Sequence, residues 1–439
     1  MLNYRNKSSQ AVRYNRKLIW LWAFSLVFIA VSVVTTPYLS AAALALFCAS
    51  LFMLRSEDVF AMLFGLLPFA NIFKLTPTSM SLFTVCEMIA VVFFLLRKRL
   101  SARQCGMIST LAIYLLVFSI DRLNILTIVK VIMGFLIIGL AVMTITKDGL
   151  KRIARLLSLS TIAMLLLSIN EKYLAYVELY FDDLDYYVDA TGHATDTLRI
   201  SGFFGDPNYC AVLIVLALAL LCVLYYHKAI GGEFWVYAAV LTPCGFFTYS
   251  KSYFLCIALL AVLLVLFVLF PKHKVWAVIA IIGFSIAVYY TAIGKIEVMN
   301  LILSRFSEGD LTTGRTNLNQ IYLQYIFGKM RVLLFGEGIS ADRITGIRNN
   351  VHCLYIETLF KLGIVGGSVY CGTLASVLPK REKKTRRGFA DYLPMFFFLL
   401  MFAFLAGILN YALPFYILIV YLSINYDSLG HSVGREVQQ

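Results

Sequence analysis

Long apolar runs recur from one end of the chain to the other, separated by short polar or basic connections. Runs of about 20 residues match the length an α-helix needs to cross a bilayer. A membrane barrel would show short alternating segments instead. The runs predict helices over 18–34, 38–54, 59–73, 79–96, 106–120, 124–145 and 150–170, and, past a polar loop, over 207–226, 234–249, 252–270 and 274–292. A longer polar stretch precedes the last three, at 352–378, 392–409 and 411–425. The pattern predicts an all-α, polytopic transmembrane bundle of about 14 spans. It divides the chain into an N-terminal segment (1–17), N-terminal helices (18–170), a first loop (171–206), central helices (207–292), a large second loop (293–351), C-terminal helices (352–425) and a tail (426–439).

The second loop has a pattern of its own. In TGRTNLNQIYLQYIFGKM, Leu318, Ile321, Tyr322, Tyr325 and Ile326 form the i, i+3, i+4, i+7, i+8 stripe of an amphipathic helix. Thr313 and Gly314 precede it as a natural opening. Such a helix lies on a bilayer surface, lids a cavity or packs on neighbouring loops.

Composition agrees with the pattern. The chain of 439 residues is 61% hydrophobic and only 14% charged, against roughly 25% charged in a soluble domain. The net charge of +14 does not point to nucleic acid, because the basic residues stand as short caps between apolar runs. They follow the positive-inside rule. With the N-terminus in the cytoplasm, the even-numbered connections carry Arg55, the Arg97–Arg103 group, Lys147, Lys151 and Arg152, His227 and Lys228, the 272–274 group and PKREKKTRRG. The short odd-numbered connections are poor in Lys and Arg. Both termini are then cytoplasmic, and both large loops lie outside. The basic lead and first apolar run read as a retained helix rather than a cleaved signal.

The nine cysteines lie mostly inside apolar runs and form no C-x-x-C pair, so they read as small packing residues. FDDLD contains a D-x-D, a pattern that can hold a divalent cation under a nucleotide sugar, but it falls in a loop expected outside the cell, where such donors are absent. No metal site is assigned.

Topology selects the candidate chemistry. His227, His273 and His431 are expected inside; His193 and His352 outside. His193 lies in a small-polar loop. His352 stands at a helix mouth beside the second loop, where a histidine caps a helix or exchanges a proton near neutral pH. Arg199, Lys251, Arg305 and Arg315 share the outer side. Cations at span ends often only snorkel to headgroups, but several near one mouth suit an anionic ligand. In GDPNY, Asp206 and Pro207 are suited to open a helix, whose free N–H groups would also face an anion.

Taken in order, RISGFFGDPNYCAVLIVLAL, CGFFTYSKSYFL, TGRTNLNQIY, LLFGEGI and VHCLYIETLFKLGIVGG resemble the bacterial O-antigen polymerase and ligase superfamily. The resemblance covers roughly residues 199–367 and rests on the order of the stretches and the topology, since no single motif is specific. The chain departs from the family pattern at Lys251, where Arg is usual, and at Cys353, where Asn is usual.

The resemblance implies a GT-C-like, multi-pass glycosyltransferase of the bacterial inner membrane that needs no metal or other cofactor. The donor would be an oligosaccharide on undecaprenyl pyrophosphate. The acceptor would be a second lipid-linked repeat unit in a polymerase, or lipid A core in a ligase. Expected partners are these lipids, the membrane and a chain-length regulator protein. His352 would activate the acceptor hydroxyl; Arg315, Arg199 and Lys251 would bind the pyrophosphate; Asp206, Asn208, Tyr253 and Arg305 would contact substrate. Independently of the family, a pyrophosphate leaving group gathers negative charge that fixed cations must stabilise. A flippase is the alternative of another class. It would need charges along a pathway through the spans, whose cores hold few beyond Glu87, Lys130 and Glu357.

Overall fold

The computed structural model describes residues 2–76, 78–119, 124–170, 172–173, 200–265, 315–341, 343–347, 349–378 and 388–430, with side chains from residue 16 onward apart from Leu264. The described secondary structure is all helical. The first seven helices are α1 (Leu2–Val34), α2 (Tyr38–Met53), α3 (Ser56–Leu66), α4 (Leu82–Leu95), α5 (Ala102–Phe118), α6 (Ile125–Val142) and α7 (Lys147–Leu167). There follow α8 (Pro207–Tyr226), α9 (Glu233–Phe246), α10 (Lys251–Leu264), α11 (Arg315–Gly328), α12 (Met330–Phe335), α13 (Leu354–Val377), α14 (Leu393–Phe402) and α15 (Leu413–Ile424). Among the described residues, four helical stretches are long and apolar enough to cross a membrane: Arg16–Val34, Ile125–Val142, Pro207–Tyr226 and Leu354–Val377. Six shorter apolar helices accompany them. The expected span at 274–292, His193, Arg199, Arg305, the D-x-D at 183–185 and most of the basic 379–388 segment lie outside the described residues.

Helix α8 is the axis of the bundle. It is apolar all round, and burial on every face follows from that composition; nearly every side chain from Asn208 to Leu224 is buried. It packs against α7, α9, α10, α14 and α15. Asp206 caps its start, and Pro207 sits where a helix tolerates a missing N–H. At its other end His227 Nε2 lies 2.6 Å from Asp391 Oδ1, and the ring stacks on Tyr426. Twenty residues at 1.5 Å per residue separate the two ends by roughly 30 Å. The N-terminal helices are tied to this axis through α3 and α7, where Arg152 meets both Glu57 and Asp58.

Two predicted spans are interrupted. The run at 392–409 is helical only to Phe402, and residues 403–412 are irregular before α15 begins. The run at 352–378 contains a break at Gly363, whose φ of 65° and ψ of −174° are not helical. Apolar character reports exclusion from water, which irregular backbone satisfies too if its polar groups find partners inside the protein.

The break at Gly363 is filled by the LLFGEGI segment. Gly336 has φ 75° and ψ −179°, and the two glycines let the backbones cross. A Cβ on Gly363 would stand 2.5 Å from Leu334 backbone atoms, and one on Gly336 would stand 2.4 Å from those of Lys361. Glu337 N donates to Phe360 O at 2.8 Å, and Gly338 N to Lys361 O at 3.1 Å. The Tyr114 hydroxyl lies 2.7 Å from Leu362 O and 2.9 Å from Phe335 O. The carbonyls beside the break thereby gain partners from a loop and a tyrosine. Helix α13 is two pieces hinged at Gly363, and the first piece follows His352 directly.

Helix α11 packs on this first piece. Tyr322 and Ile326 are buried, and they join Val332, Ala341, Ile344, Val351, Cys353 and Phe360 in a small apolar cluster separate from the main core. The Tyr322 and Phe360 rings meet edge to face. Ile321, also in the predicted stripe, is 42% exposed. The helix is thus docked on the 332–360 region rather than resting free.

Candidate functional site

Four ionisable side chains from separate parts of the chain form one electrostatic group: Asp206 at the start of α8, Arg315 at the start of α11, His352 ahead of α13, and Glu357 in its first turn. The irregular 403–412 segment holds two of them, Arg315 and Glu357, directly, and bonds to Tyr209 near a third, Asp206. Arg315 Nη1 donates to Phe404 O at 3.1 Å. The Tyr209 hydroxyl donates to Ala406 O at 2.5 Å. Glu357 Oε2 accepts from Gly407 N at 2.6 Å and from Ile408 N at 3.0 Å. The other Glu357 oxygen, Oε1, lies 3.0 Å from Lys361 Nζ, one helical turn on. Buried backbone groups without partners are costly, so these bonds are what lets a non-helical segment sit inside the bundle.

His352 is partly buried and makes no hydrogen bond to a described residue. Burial holds its imidazole below the ordinary value, the Arg315 charge lowers it further, and the carboxylates of Asp206 and Glu357 oppose both. The ring is therefore neutral at pH 7 and retains a lone pair. Asp206 Oδ1 accepts from Asn208 N at 2.7 Å and from Asn208 Nδ2 at 2.9 Å, so Asn208 orients the carboxylate. Gly202 and Gly205, with φ of 57° and 74°, shape the turn before it.

The candidate Lys251 opens α10 after Tyr249, a non-glycine residue in the left-handed region at φ 47°. Ile200 N donates to Phe247 O at 3.0 Å, which joins the residues following Arg199 to the turn carrying Lys251. Tyr253 is turned into the protein. Its hydroxyl donates to Thr242 O at 2.7 Å, and its ring fills the space left by Gly245, where a Cβ would meet it at 2.1 Å. Cys353 is buried in the small apolar cluster beside α11.

A cavity of about 670 Å³ lies between α4, α6, α13 and α15. Glu357 belongs to its wall as well as to the His352 group, and Tyr209, Asn350 and Gly407 line it too. Among the described residues no three His, Cys, Asp or Glu side chains form a metal-ligand set.

Sequence reasoning did not single out Tyr209, Lys361 or the 403–412 segment, and it noted Glu357 only as a charge within a span. That charge was the available signal, together with Gly407 and Asn410 inside an apolar run.

Comparison with family models, with curated proteins and with solved structures gives no match to this chain.

Proposed function

We propose that the protein is an integral-membrane glycosyltransferase that polymerises undecaprenyl-pyrophosphate-linked repeat units on the outer face of a bacterial inner membrane. In this reading it spans the membrane about 14 times, with both termini in the cytoplasm. The observation that carries it is the joining of the sequence stretches behind the resemblance. Residues 200–209, 315, 335–338 and 352–363 are far apart in sequence, yet hydrogen bonds connect them to one another or to the shared 403–412 segment. A neutral histidine beside an arginine and two carboxylates supports acceptor activation next to a developing pyrophosphate charge.

In the proposed reaction the acceptor hydroxyl gives its proton to His352 as its oxygen attacks the anomeric carbon of the donor. The bond from that carbon to the pyrophosphate oxygen breaks, and Arg315 stabilises the charge gathered there, with Arg199 and Lys251 as further cations. Asp206 and Glu357 oppose the depression of the histidine by burial and Arg315, which favours the imidazolium that forms as the proton arrives.

The test is reconstitution of the purified protein with lipid-linked repeat units. Chain growth without added nucleotide sugar is expected, and His352→Ala should slow it roughly 10²–10⁴-fold. Unchanged chain growth in both His352→Ala and Arg315→Ala at equal protein would refute the site. A ligase would instead move preformed polymer to lipid A core, and a flippase would move lipid-linked units without lengthening them.

A further inference from the structure

One face of α1 takes no part in the proposed chemistry. Arg16, Trp20 and Phe24 stand one turn apart on it, and Lys17 and Leu21 form the row beside them. Trp20 and Phe24 stack with ring centroids 5.7 Å apart. Along its length the face therefore passes from two cations, through an indole, to a phenyl ring. Helix α2 returns along α1 and brings Met53, its last residue, back to this level. Met53 and the five α1 side chains line a cavity of about 500 Å³.

Charge at this end of the bundle is of one sign. From Met1 to Ser56 the chain holds six Lys or Arg and no Asp or Glu. The first acidic residues, Glu57 and Asp58, are both engaged by Arg152 of α7. Arg97 stands at the same end, 4.0 Å over the Phe93 ring, which meets Phe52 edge-on at 5.8 Å. The apolar side of the groove is open: Trp20 is 61% exposed, Phe24 49% and Phe52 78%. Residues Arg16–Val34 are long and apolar enough to cross a membrane, so what meets these rings is lipid. The two cations then stand at the mouth of the span, and Trp20 lies one turn in, at the level of an aromatic belt. A cation alone at a span end only snorkels to the headgroups. Here a second helix closes the space beside the cations, and basic pockets between spanning helices take anionic lipid heads.

We propose that the groove between the start of α1 and the end of α2 binds an anionic phospholipid, with its phosphate on Arg16 and Lys17 and an acyl chain laid along Trp20, Phe24 and Met53. The Arg16 guanidinium can fork onto two phosphate oxygens, and Lys17 adds a point charge beside it. In the topology proposed above the groove faces the cytoplasmic leaflet, across the membrane from His352. The inference requires that α1 lies in a bilayer and does not depend on sugar transfer.

The test measures retained lipid. The full-length protein is delipidated in detergent, titrated with cardiolipin or phosphatidylethanolamine, and examined by native mass spectrometry. A cardiolipin adduct is expected that Arg16→Gln and Lys17→Gln each weaken about fivefold, as loss of one cation near an anionic head does. Trp20→Ala, at an exposed position, should weaken it at least about fivefold by removing apolar contact. Arg103→Gln removes an exposed cation from the first turn of α5 and should leave the adduct unchanged. Zwitterionic phosphatidylethanolamine should bind at least about tenfold more weakly. Glycerophosphoglycerol, a phosphodiester head without tails, should displace cardiolipin at least about tenfold less well than cardiolipin itself. An adduct untouched by the Arg16 and Lys17 changes, equal weakening by Arg103→Gln, equal binding of phosphatidylethanolamine, or equal competition by glycerophosphoglycerol would overturn the proposal. So would a lipid-free dimer that Trp20→Ala dissociates, which would make the groove a contact between copies of the chain. The adduct is read without substrate. Its presence in a protein that lengthens no glycan would leave this site standing and remove the polymerase; chain growth in a protein without the adduct would do the reverse.

Discussion

Gly363→Ala is the sharpest test of how the site is framed. The residue has φ 65° and ψ −174°, a region open essentially to glycine, and placing alanine there costs roughly 1–3 kcal/mol. The added methyl would also stand 2.5 Å from the carbonyl carbon and oxygen of Leu334 and the nitrogen of Phe335. Those are backbone atoms, so no rotamer change relieves the overlap. The LLFGEGI segment must retreat, loosening the bonds from Glu337 N to Phe360 O and from Gly338 N to Lys361 O, each worth about 1 kcal/mol. Together the loss is about 3–5 kcal/mol, a large share of any protein's stability. The control lies four residues on. Gly367→Ala meets only Thr358 Cγ2 at 3.9 Å within a helix, and should be neutral or up to about 1 kcal/mol stabilising. Unfolding of each variant in detergent, followed by size-exclusion after graded heating, ranks them directly. If Gly363→Ala survives heating as well as Gly367→Ala, the crossing does not hold α13 in two pieces.

Three further outcomes are expected. Glu357→Ala strips Gly407 N, Ile408 N and Lys361 of their shared acceptor, an uncompensated buried charge worth about 3–5 kcal/mol; Glu357→Gln should be milder in the same heating assay, and equal losses would contradict the reasoning. Because burial and Arg315 depress the His352 imidazole, it binds its proton only below the ordinary value of about 6.5. The rate of chain growth should therefore stay level from pH 8 down to that value and fall below it, and Arg315→Gln should move the acid limb of its residual rate upward. Tyr253→Phe removes only the bond to Thr242 O, so stability should drop by about 1 kcal/mol; a tenfold slower reaction at unchanged stability would return Tyr253 to the substrate.

The described helices follow the apolar runs closely. Asp206 and Pro207 mark the start of α8 in the sequence and in the fold, and the stripe at Leu318–Ile326 becomes α11 with Tyr322 and Ile326 inward. His352 and Arg315 stood out because charged and titratable groups are scarce beside such runs. Local pattern failed where a run continued through a break. Nothing in GIVGG distinguishes the hinge Gly363 from the tolerant Gly367, because the difference lies in the Leu334 backbone pressed against one of them.

By itself the sequence determined the all-helical class and the place of most helices, since long apolar runs satisfy their backbone most readily as helices. It also supplied the chemical groups and their order. Tertiary structure alone decided which groups meet. In an apolar solvent nearly every side chain of a span is acceptable on every face, so hydrophobic pattern cannot say which helix faces which. That choice rests on long-range polar bonds: Arg315 and Glu357 gripping residues 404–408, Tyr114 reaching the broken α13, and Asn71 reaching Phe203 O from the connection between α3 and α4.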